Sequence, residues 1–307
     1  MKGRVIKSTG SWYIVQVDQE VLSARLKGKF KQEETKLTNP IAVGDWVVLE
    51  KEENQQTAVI SEILPRENYV IRKSTRKQHF SHIIASNLDQ AILVITMKNP
   101  RTSMGFIDRF LVSTESFRIP AILVVNKMDQ LEGEDAEEWL QDIHEIYEPL
   151  GYQVLEVSAL KEEDLLEKFR PYLQGKSSLI AGHSGVGKST LLNALVPNAE
   201  QGTKEISTYS TKGVHTTTFA ELFTIPGGGD LIDTPGIKEF GILDIEDHEL
   251  SHFFPEMRRY LGQCKYNNCQ HVNEPGCVVI KKLEEGYIHP YRYQSYLNIL
   301  NEEDSFR

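Results

Sequence analysis

Gly182-x-x-x-x-Gly187-Lys188-Ser189 follows the apolar run Leu179-Ile-Ala181 and leads into Thr190 to Val196. No other stretch restricts the fold as much. A buried strand, a glycine-bearing turn and a helix must come in that order. The glycines let backbone N–H groups approach phosphate oxygens closely. Lys188 brings a point charge to β- and γ-phosphates, and Ser189 a hard oxygen suited to Mg²⁺. The positive end of the following helix faces the same anion. The pattern predicts a phosphate loop formed by Gly182, His183, Ser184, Gly185, Val186, Gly187, Lys188, Ser189 and Thr190.

Further strings identify the nucleotide. Asn126-Lys127-Met128-Asp129 follows the apolar strand Ala121 to Val125. A carboxylate at Asp129 can accept both the ring N–H and the exocyclic amine of guanine. Adenine has the wrong donor pattern and would leave the carboxylate unpaired. Ser158-Ala159-Leu160, after Val154 to Val157, fits a loop whose backbone N–H meets the guanine oxygen. Asp233-Thr234-Pro235-Gly236, after Leu231-Ile232, fits a segment that senses the γ-phosphate and Mg²⁺. Each string alone is common at polar loop ends. Four of them, each behind its own strand, predict GTP binding by these loops, with Asp233 on Mg²⁺ and Gly236 beside the phosphates.

The order of the strings is unusual. A conventional small GTPase runs from phosphate loop to switch I, D-x-x-G, N-K-x-D and S-A; here N-K-x-D and S-A come first. The expectation is a circularly permuted α/β GTPase domain, which close-lying surface termini permit. In this order Asp233 to Gly236 leads directly into the C-terminal part of the chain, so nucleotide state could pass covalently to a following module.

Composition sets the bounds. At 307 residues the chain has room for two or three domains. No apolar run approaches the ~18 residues of a membrane span, and the start, Met-Lys-Gly-Arg-Val, lacks a signal-peptide core. A cytoplasmic protein is expected. The net charge of −10 excludes bulk attraction to nucleic acid, so any RNA contact needs a local basic surface.

Along the chain, residues 1–64 read as a small OB-fold β-barrel, an RNA-binding domain. Its short β-prone runs are Val5 to Lys7, Trp12 to Val17, Val21 to Arg25, Trp46 to Leu49 and Thr57 to Ile60. The stretch Arg25 to Lys31 is locally basic, either a solvated hairpin loop or an RNA contact. Residues 65–87 read as a basic linker in which Arg66, Arg72, Lys73, Arg76 and Lys77 oppose only Glu67. That linker is a solvated connector or a phosphate-contacting strip. His79 and His82 have no metal-ligand neighbours and are taken as structural.

Residues 88–240 hold the GTPase domain, with strands alternating with helices over Phe106 to Phe117, Ala136 to Tyr147 and Leu165 to Leu173. Pro171 is expected to bend or end the third helix. Phe219 to Ile225 and Asp230 to Ile232 read as a hairpin. Residues 197–217 form a candidate switch I, ending in Gly213-Val-His-Thr-Thr-Thr218. One of these threonines should complete Mg²⁺ coordination; Thr217 is selected, although sequence does not separate the three.

Ile237 raises the catalytic question, because many GTPases place a water-orienting glutamine just after D-x-x-G. An isoleucine cannot hydrogen-bond water. His215 is the nearest candidate by motif position, unless it contacts a partner or packs the loop. His183 is an alternative whose side chain would normally point away from the chemistry. The catalytic set is thus His215, Lys188 and Thr217.

Residues 241–307 contain Cys264-x₄-Cys269-x-His271-x₅-Cys277, which includes every cysteine of the chain. Three sulfurs and one imidazole make a closed tetrahedral Zn²⁺ set, structural rather than catalytic. Zinc would stabilise a segment too small for a large core. The alternative is a set of reduced, buried cysteines. A packing helix is expected from Pro290 to Glu303, on the spacing of Tyr293, Tyr296, Leu297 and Leu300. The fold expected is therefore multidomain: an N-terminal OB barrel, a central permuted P-loop GTPase and a small, mainly helical zinc-binding domain.

N-K-M-D, S-A-L, G-H-S-G-V-G-K-S, G-V-H-T-T-T and D-T-P-G, in that permuted order between an OB-like start and C-x₄-C-x-H-x₅-C, resemble the ribosome-small-subunit-dependent GTPases, the RsgA or YjeQ/YloQ family. The resemblance spans essentially the whole chain. It implies a factor in late small-subunit maturation that binds the small ribosomal subunit and its rRNA through OB and zinc modules. It further implies GTP hydrolysis stimulated by the subunit, and release after hydrolysis; a monomer is expected. The family's nucleotide roles fall on Asn126, Lys127, Asp129, Gly182 to Thr190 and Asp233, and its zinc roles on Cys264, Cys269, His271 and Cys277. The hydrophobic Ile237 matches the family; His183 departs from it, where a small polar residue is expected. Two other readings stand beside this one: an RNA-binding module using GTP only as a structural ligand, and a zinc enzyme centred on Cys264 to Cys277.

Overall fold

The computed structural model describes residues 1–10, 12–27, 40–51, 57–73, 81–196, 220–234 and 245–301. Lys2–Ser8 (β1), Tyr13–Val17 (β2), Glu20–Leu26 (β3), Trp46–Lys51 (β4) and Thr57–Ile63 (β5) close into a barrel in the order β1-β2-β3-β5-β4. β4 returns to β1 antiparallel, with Gly3 opposite Val47, while β3 and β5 pair in parallel. The strands alternate, and the inward set includes Val5, Tyr13, Val15, Ala24, Val47, Leu49, Ala58 and Ile60. All five strands expected from the sequence are present.

The stretch read as a linker holds more structure than that reading gave it. Tyr69–Lys73 (β6) and Ser81–Ser86 (β7) pair antiparallel. Arg66, one of the linker's cations, is not free to contact a ligand. Its Nε and Nη2 grip the fully buried Asp45 carboxylate at 2.7 and 2.6 Å, and Ser86 Oγ donates to the same carboxylate at 2.6 Å. The side chains of residues 72 and 73, and residues 76 and 77, lie outside the described residues.

Six further strands are Gln90–Ile95 (β8), Ala121–Val125 (β9), Gln153–Glu156 (β10), Ser177–Ala181 (β11), Glu221–Thr224 (β12) and Asp230–Asp233 (β13). They run in the order β10-β9-β8-β11-β13-β12, parallel except for β12, which pairs antiparallel with β13 as the expected hairpin. β8, β9 and β11 are buried on both faces, hence the apolar runs at residues 91–95, 121–125 and 179–181. Ala91, Leu93, Ile95, Leu123 and Leu179 meet Met104–Ser116 (α1) and Glu134–Tyr147 (α2) on one side. Ile92, Val94, Ile122, Val124 and Ile180 meet Leu165–Leu173 (α3) and Lys188–Leu195 (α4) on the other. α3 runs through Pro171 and stops at Leu173. Each fully buried Leu, Ile or Val contributes about 1.5–3 kcal/mol.

The C-terminal module is helical. A 3-10 turn at Leu250–Phe253 leads into Pro255–Arg258 (α5), Val278–Glu284 (α6) and Pro290–Leu300 (α7). Its core of Leu250, Phe254, Met257, Val279, Ile288, Tyr296 and Ile299 takes in Val112 from α1, so the module is packed onto the central α/β domain. Among the described residues no helix is long and apolar enough to cross a membrane.

Candidate functional site

The strands β8, β9, β10, β11 and β13 share one direction, so the loops at their C-terminal ends gather on one edge of the sheet. The phosphate loop leaves β11 there. Gly182 has φ +141, and a Cβ on it would stand 2.4 Å from Val94 O. Gly187 has φ +99, and a Cβ would stand 2.2 Å from Asn126 Nδ2. Only glycine fits either position. α4 begins at Lys188, with Gly187 at its N-cap and Ser189 and Thr190 in its first turn.

Asn126 ties two loops together. Its Nδ2 donates to Val186 O at 2.8 Å, and its Oδ1 accepts from Ala159 N at 3.0 Å. The N-K-x-D asparagine thus holds the phosphate loop against the Ser158-Ala159 loop. Ala159 N–H, in the loop expected to meet the guanine oxygen, is one half of that link. Asp129 is placed by its own N–H, which donates to Ser158 Oγ at 3.1 Å, and Met128 N bonds Val157 O at 3.1 Å. The Asp129 carboxylate is 15 % exposed and pairs with Lys161 Nζ at 3.2 Å. Lys127 sits in the left-handed region at φ +63, its ammonium on Asn99 O. Lys161 and Asn99 were missed in the sequence; Lys161 directly follows S-A-L, and that adjacency was the available signal.

Lys188 and Asp233 face each other across the phosphate end. Lys188 Nζ donates to Gly182 O and His183 O at 2.7 and 2.8 Å. Burial lowers the Lys188 pKa against the pull of Asp233. Burial likewise raises the Asp233 carboxyl, against Lys188 and the Thr234 N–H. Thr234 Oγ1 beside it is buried without a hydrogen-bond partner. Orphaned oxygen, desolvated lysine and carboxylate, and a glycine cradle fit a site made for phosphates and a divalent cation. The residues suited to Mg²⁺ within the described set are Ser189 and Asp233. His183 turns to α1, its ring stacked on Phe106 with centroids 3.8 Å apart. His215, Thr217 and Gly236 lie outside the described residues.

The second cluster is Cys264, Cys269, His271 and Cys277, whose ligand atoms all lie within 4.8 Å of one another. His271 presents Nδ1, at 3.6, 3.4 and 3.4 Å from the three sulfurs, and Cys264 and Cys277 Sγ are 4.0 Å apart. A tetrahedral zinc with its usual bond lengths needs edges of about 3.5 Å for S···N and about 3.8 Å for S···S. The set fits. Val278 N and Ile280 N donate to Cys264 and Cys277 sulfurs at 3.4 and 3.5 Å, so the start of α6 supplies N–H groups suited to thiolates. Burial pushes the Cys269 thiol up to about 12 and raises Cys277, so thiolates here require a cation. Tyr293 and Tyr296 hydroxyls hold His271 O and Gln270 O at 2.7 and 2.6 Å, tying the loop to α7.

Comparison with known proteins agrees with this geometry. The family model for the RsgA GTPase matches residues 63–243, and that for the RsgA N-terminal domain matches residues 2–60. The chain is 50 % identical to the small ribosomal subunit biogenesis GTPase RsgA of Cytophaga hutchinsonii, over 100 % of both chains. It is 49 % identical to that of Bacteroides fragilis, over 99 % of this chain and 97 % of the relative. Among solved structures, YjeQ from Thermotoga maritima superposes with a TM-score of 0.77 at 34 % identity, covering 98 % of this chain and 97 % of its own. YloQ, a circularly permuted GTPase, gives 0.74 at 34 % identity, covering 98 % and 94 %. With a closed barrel, a permuted phosphate-loop sheet and a Cys₃His cluster in one chain, this protein is a GTPase and belongs to the RsgA family.

Proposed function

We propose that this GTPase acts in the cytoplasm on the small ribosomal subunit, timing a late step of its maturation and its own release by hydrolysing GTP. The observation that carries the reading is architectural. One sheet edge collects the phosphate loop, Asn126 to Asp129, Ser158-Ala159 and Asp233, while a barrel and a Cys₃His module are fixed to the same domain. Relatives at about half identity over the whole chain carry the name small ribosomal subunit biogenesis GTPase.

In this reading Asp129 selects guanine, and Asn126 locks the base and phosphate loops into one frame. Lys188 and the α4 N-terminus stabilise charge on the phosphates. Ser189 and Asp233, with Thr217, would hold Mg²⁺, which supplies charge neutralisation when bound. Met128, Ser158 and Gly182 to Thr190 complete the nucleotide contacts, together with Gly236. His215 is proposed to orient water, since Ile237 cannot. Cys264, Cys269, His271 and Cys277 would hold one structural Zn²⁺. The barrel and the zinc module contact rRNA, and the chain works as a monomer.

The test is co-sedimentation with purified small subunits, in a non-hydrolysable GTP analogue and in GDP. Binding at least about ten-fold tighter with the analogue is expected. Equal affinity in the two states would remove the timing role.

A further inference from the structure

We infer that Arg4 and Lys7 of the barrel are positioning residues for GTP hydrolysis, fixing the strands that frame the switch segments so that barrel engagement reaches the phosphate site. The inference rests on the proposed binding of the small subunit by the barrel.

Barrel and GTPase sheet are one continuous eleven-stranded sheet, joined where β1 meets β12. Among the described residues the joint has a single register pair, Lys7 opposite Glu221. Lys7 Nζ lies 2.8 Å from Glu221 Oε2, with the side chains 19 % and 13 % exposed. Glu221 in turn stands opposite Asp233 across β12 and β13. Lys7, Glu221 and Asp233 therefore occupy one line across three strands. At about 4.8 Å per strand, the barrel's cation is about 10 Å of sheet from the carboxylate proposed for Mg²⁺.

Arg4 makes the second tie. Its Nη1 donates to Asp230 Oδ2 and its Nη2 to Ser177 Oγ, both at 2.7 Å. Asp230 opens β13, which closes on Asp233; Ser177 opens β11, which closes just before Gly182. The barrel thus grips the near ends of both strands whose far ends carry phosphate-site residues.

The β12–β13 hairpin joins the segment proposed as switch I to the one containing Pro235 and Gly236. On one side it is laddered to β11 through pairs from Ser177 opposite Asp230 to Ile180 opposite Asp233. On the other, among the described residues, it is attached to the barrel through one register pair and two ion pairs, with Ile6 of β1 packed against the core cluster that includes Leu222. Ion pairs can open and re-form, whereas a paired strand does so only by losing its ladder. A barrel shifted by its ligand would therefore act on the hairpin and on the near end of β11, where Arg4 holds Ser177. Simple domain adhesion predicts lost stability when these pairs break; a positioning role predicts lost activation.

The experiment uses full-length wild type, Lys7→Glu, Glu221→Lys and the double swap, with Lys7→Met and Arg4→Lys as milder variants. GTP hydrolysis is measured alone and with saturating small subunits, and subunit affinity is measured in parallel. Basal rate and subunit affinity are expected to stay within about two-fold of wild type in Lys7→Met and Arg4→Lys; Glu221→Lys sets a cation opposite Asp233, so in the swaps stimulation is read against each variant's own basal rate. Subunit-stimulated kcat should fall about ten-fold or more in each single swap, with KM for GTP unchanged, and recover in the double swap. If a single swap does not fold, Lys7→Met carries the same readout with a smaller loss. Wild-type stimulation in the single variants, loss explained by lost subunit binding, or no recovery in the double swap overturns the inference. An unstimulated wild type overturns the proposed function, and this inference with it.

Discussion

Arg292 Nη1 lies 2.5 Å from Asp108 Oδ1, and each side chain is 1 % exposed. The pair joins α7 of the C-terminal module to α1 of the GTPase domain. Arg292 Nε also reaches Glu256 Oε1 at 2.7 Å, and Tyr147 OH donates to Asp108 Oδ1 at 2.8 Å. Burial alone would lower the Arg292 pKa; Asp108 and Glu256 hold it well above its usual range. Burial and Asp108 together raise the Tyr147 phenol. Every member of this buried network has a partner, so deleting one strands the others.

Asp108→Asn should destabilise the protein by about 3 kcal/mol, because it leaves a buried guanidinium short of one counter-charge. Denaturant midpoints with the m-value held constant would measure it. A change below about 1 kcal/mol would show that Glu256 alone suffices.

Zinc should be structural. Cys277→Ser is expected to abolish stoichiometric zinc content and lower the melting temperature, because Cys277 also caps α6 and lies in the core shared with Val112. Basal hydrolysis below the melting range should stay within about two-fold, since the cluster shares no residue with the phosphate site. Metal analysis, melting curves and GTP turnover on one preparation decide this.

Asp129→Asn should weaken guanine nucleotides by about 10³-fold or more, since an amide donor would face guanine's exocyclic amine. Xanthine offers a carbonyl at that position and should bind the variant better than guanine does. Competition titration against a fluorescent guanine nucleotide checks both halves.

His144 sits between Glu148 and Glu156, with Nδ1 and Nε2 at 3.0 and 2.9 Å from their carboxylates. Burial lowers its pKa, but the hydrogen bonds to the two glutamates outweigh burial and raise it overall. A raised histidine stabilises the fold fully below its unfolded pKa and loses that contribution as pH rises through the folded value. His144→Gln should therefore cost more at pH 6 than at pH 8.5. The difference should be under about 1 kcal/mol, because the site is partly exposed. Denaturation at both pH values tests the sign, and a larger deficit at pH 8.5 contradicts it.

Much of this architecture is written locally. Ala121–Val125 reads as an apolar run, as does Leu179 to Ala181 within the strand Ser177–Ala181, and the glycine pattern at 182–187 marks the turn after the second. What joins the domains is not local. Arg292 and Asp108 are 184 positions apart, and Lys7 and Glu221 are 214 apart; no periodicity announces such pairs. Arg66 looked like a ligand-facing cation in a basic stretch, yet a buried carboxylate far from it in sequence claims it. Asn126 was recognisable as part of a guanine motif, but its task of bracing Val186 and Ala159 needed the folded loops.

GTP turnover by the full-length protein, alone and with purified small or large ribosomal subunits, tests the central claim most directly. A rise of about ten-fold or more with small subunits, and none with large ones, is the predicted result. Equal turnover in all three conditions would contradict the claim that the small subunit activates this GTPase.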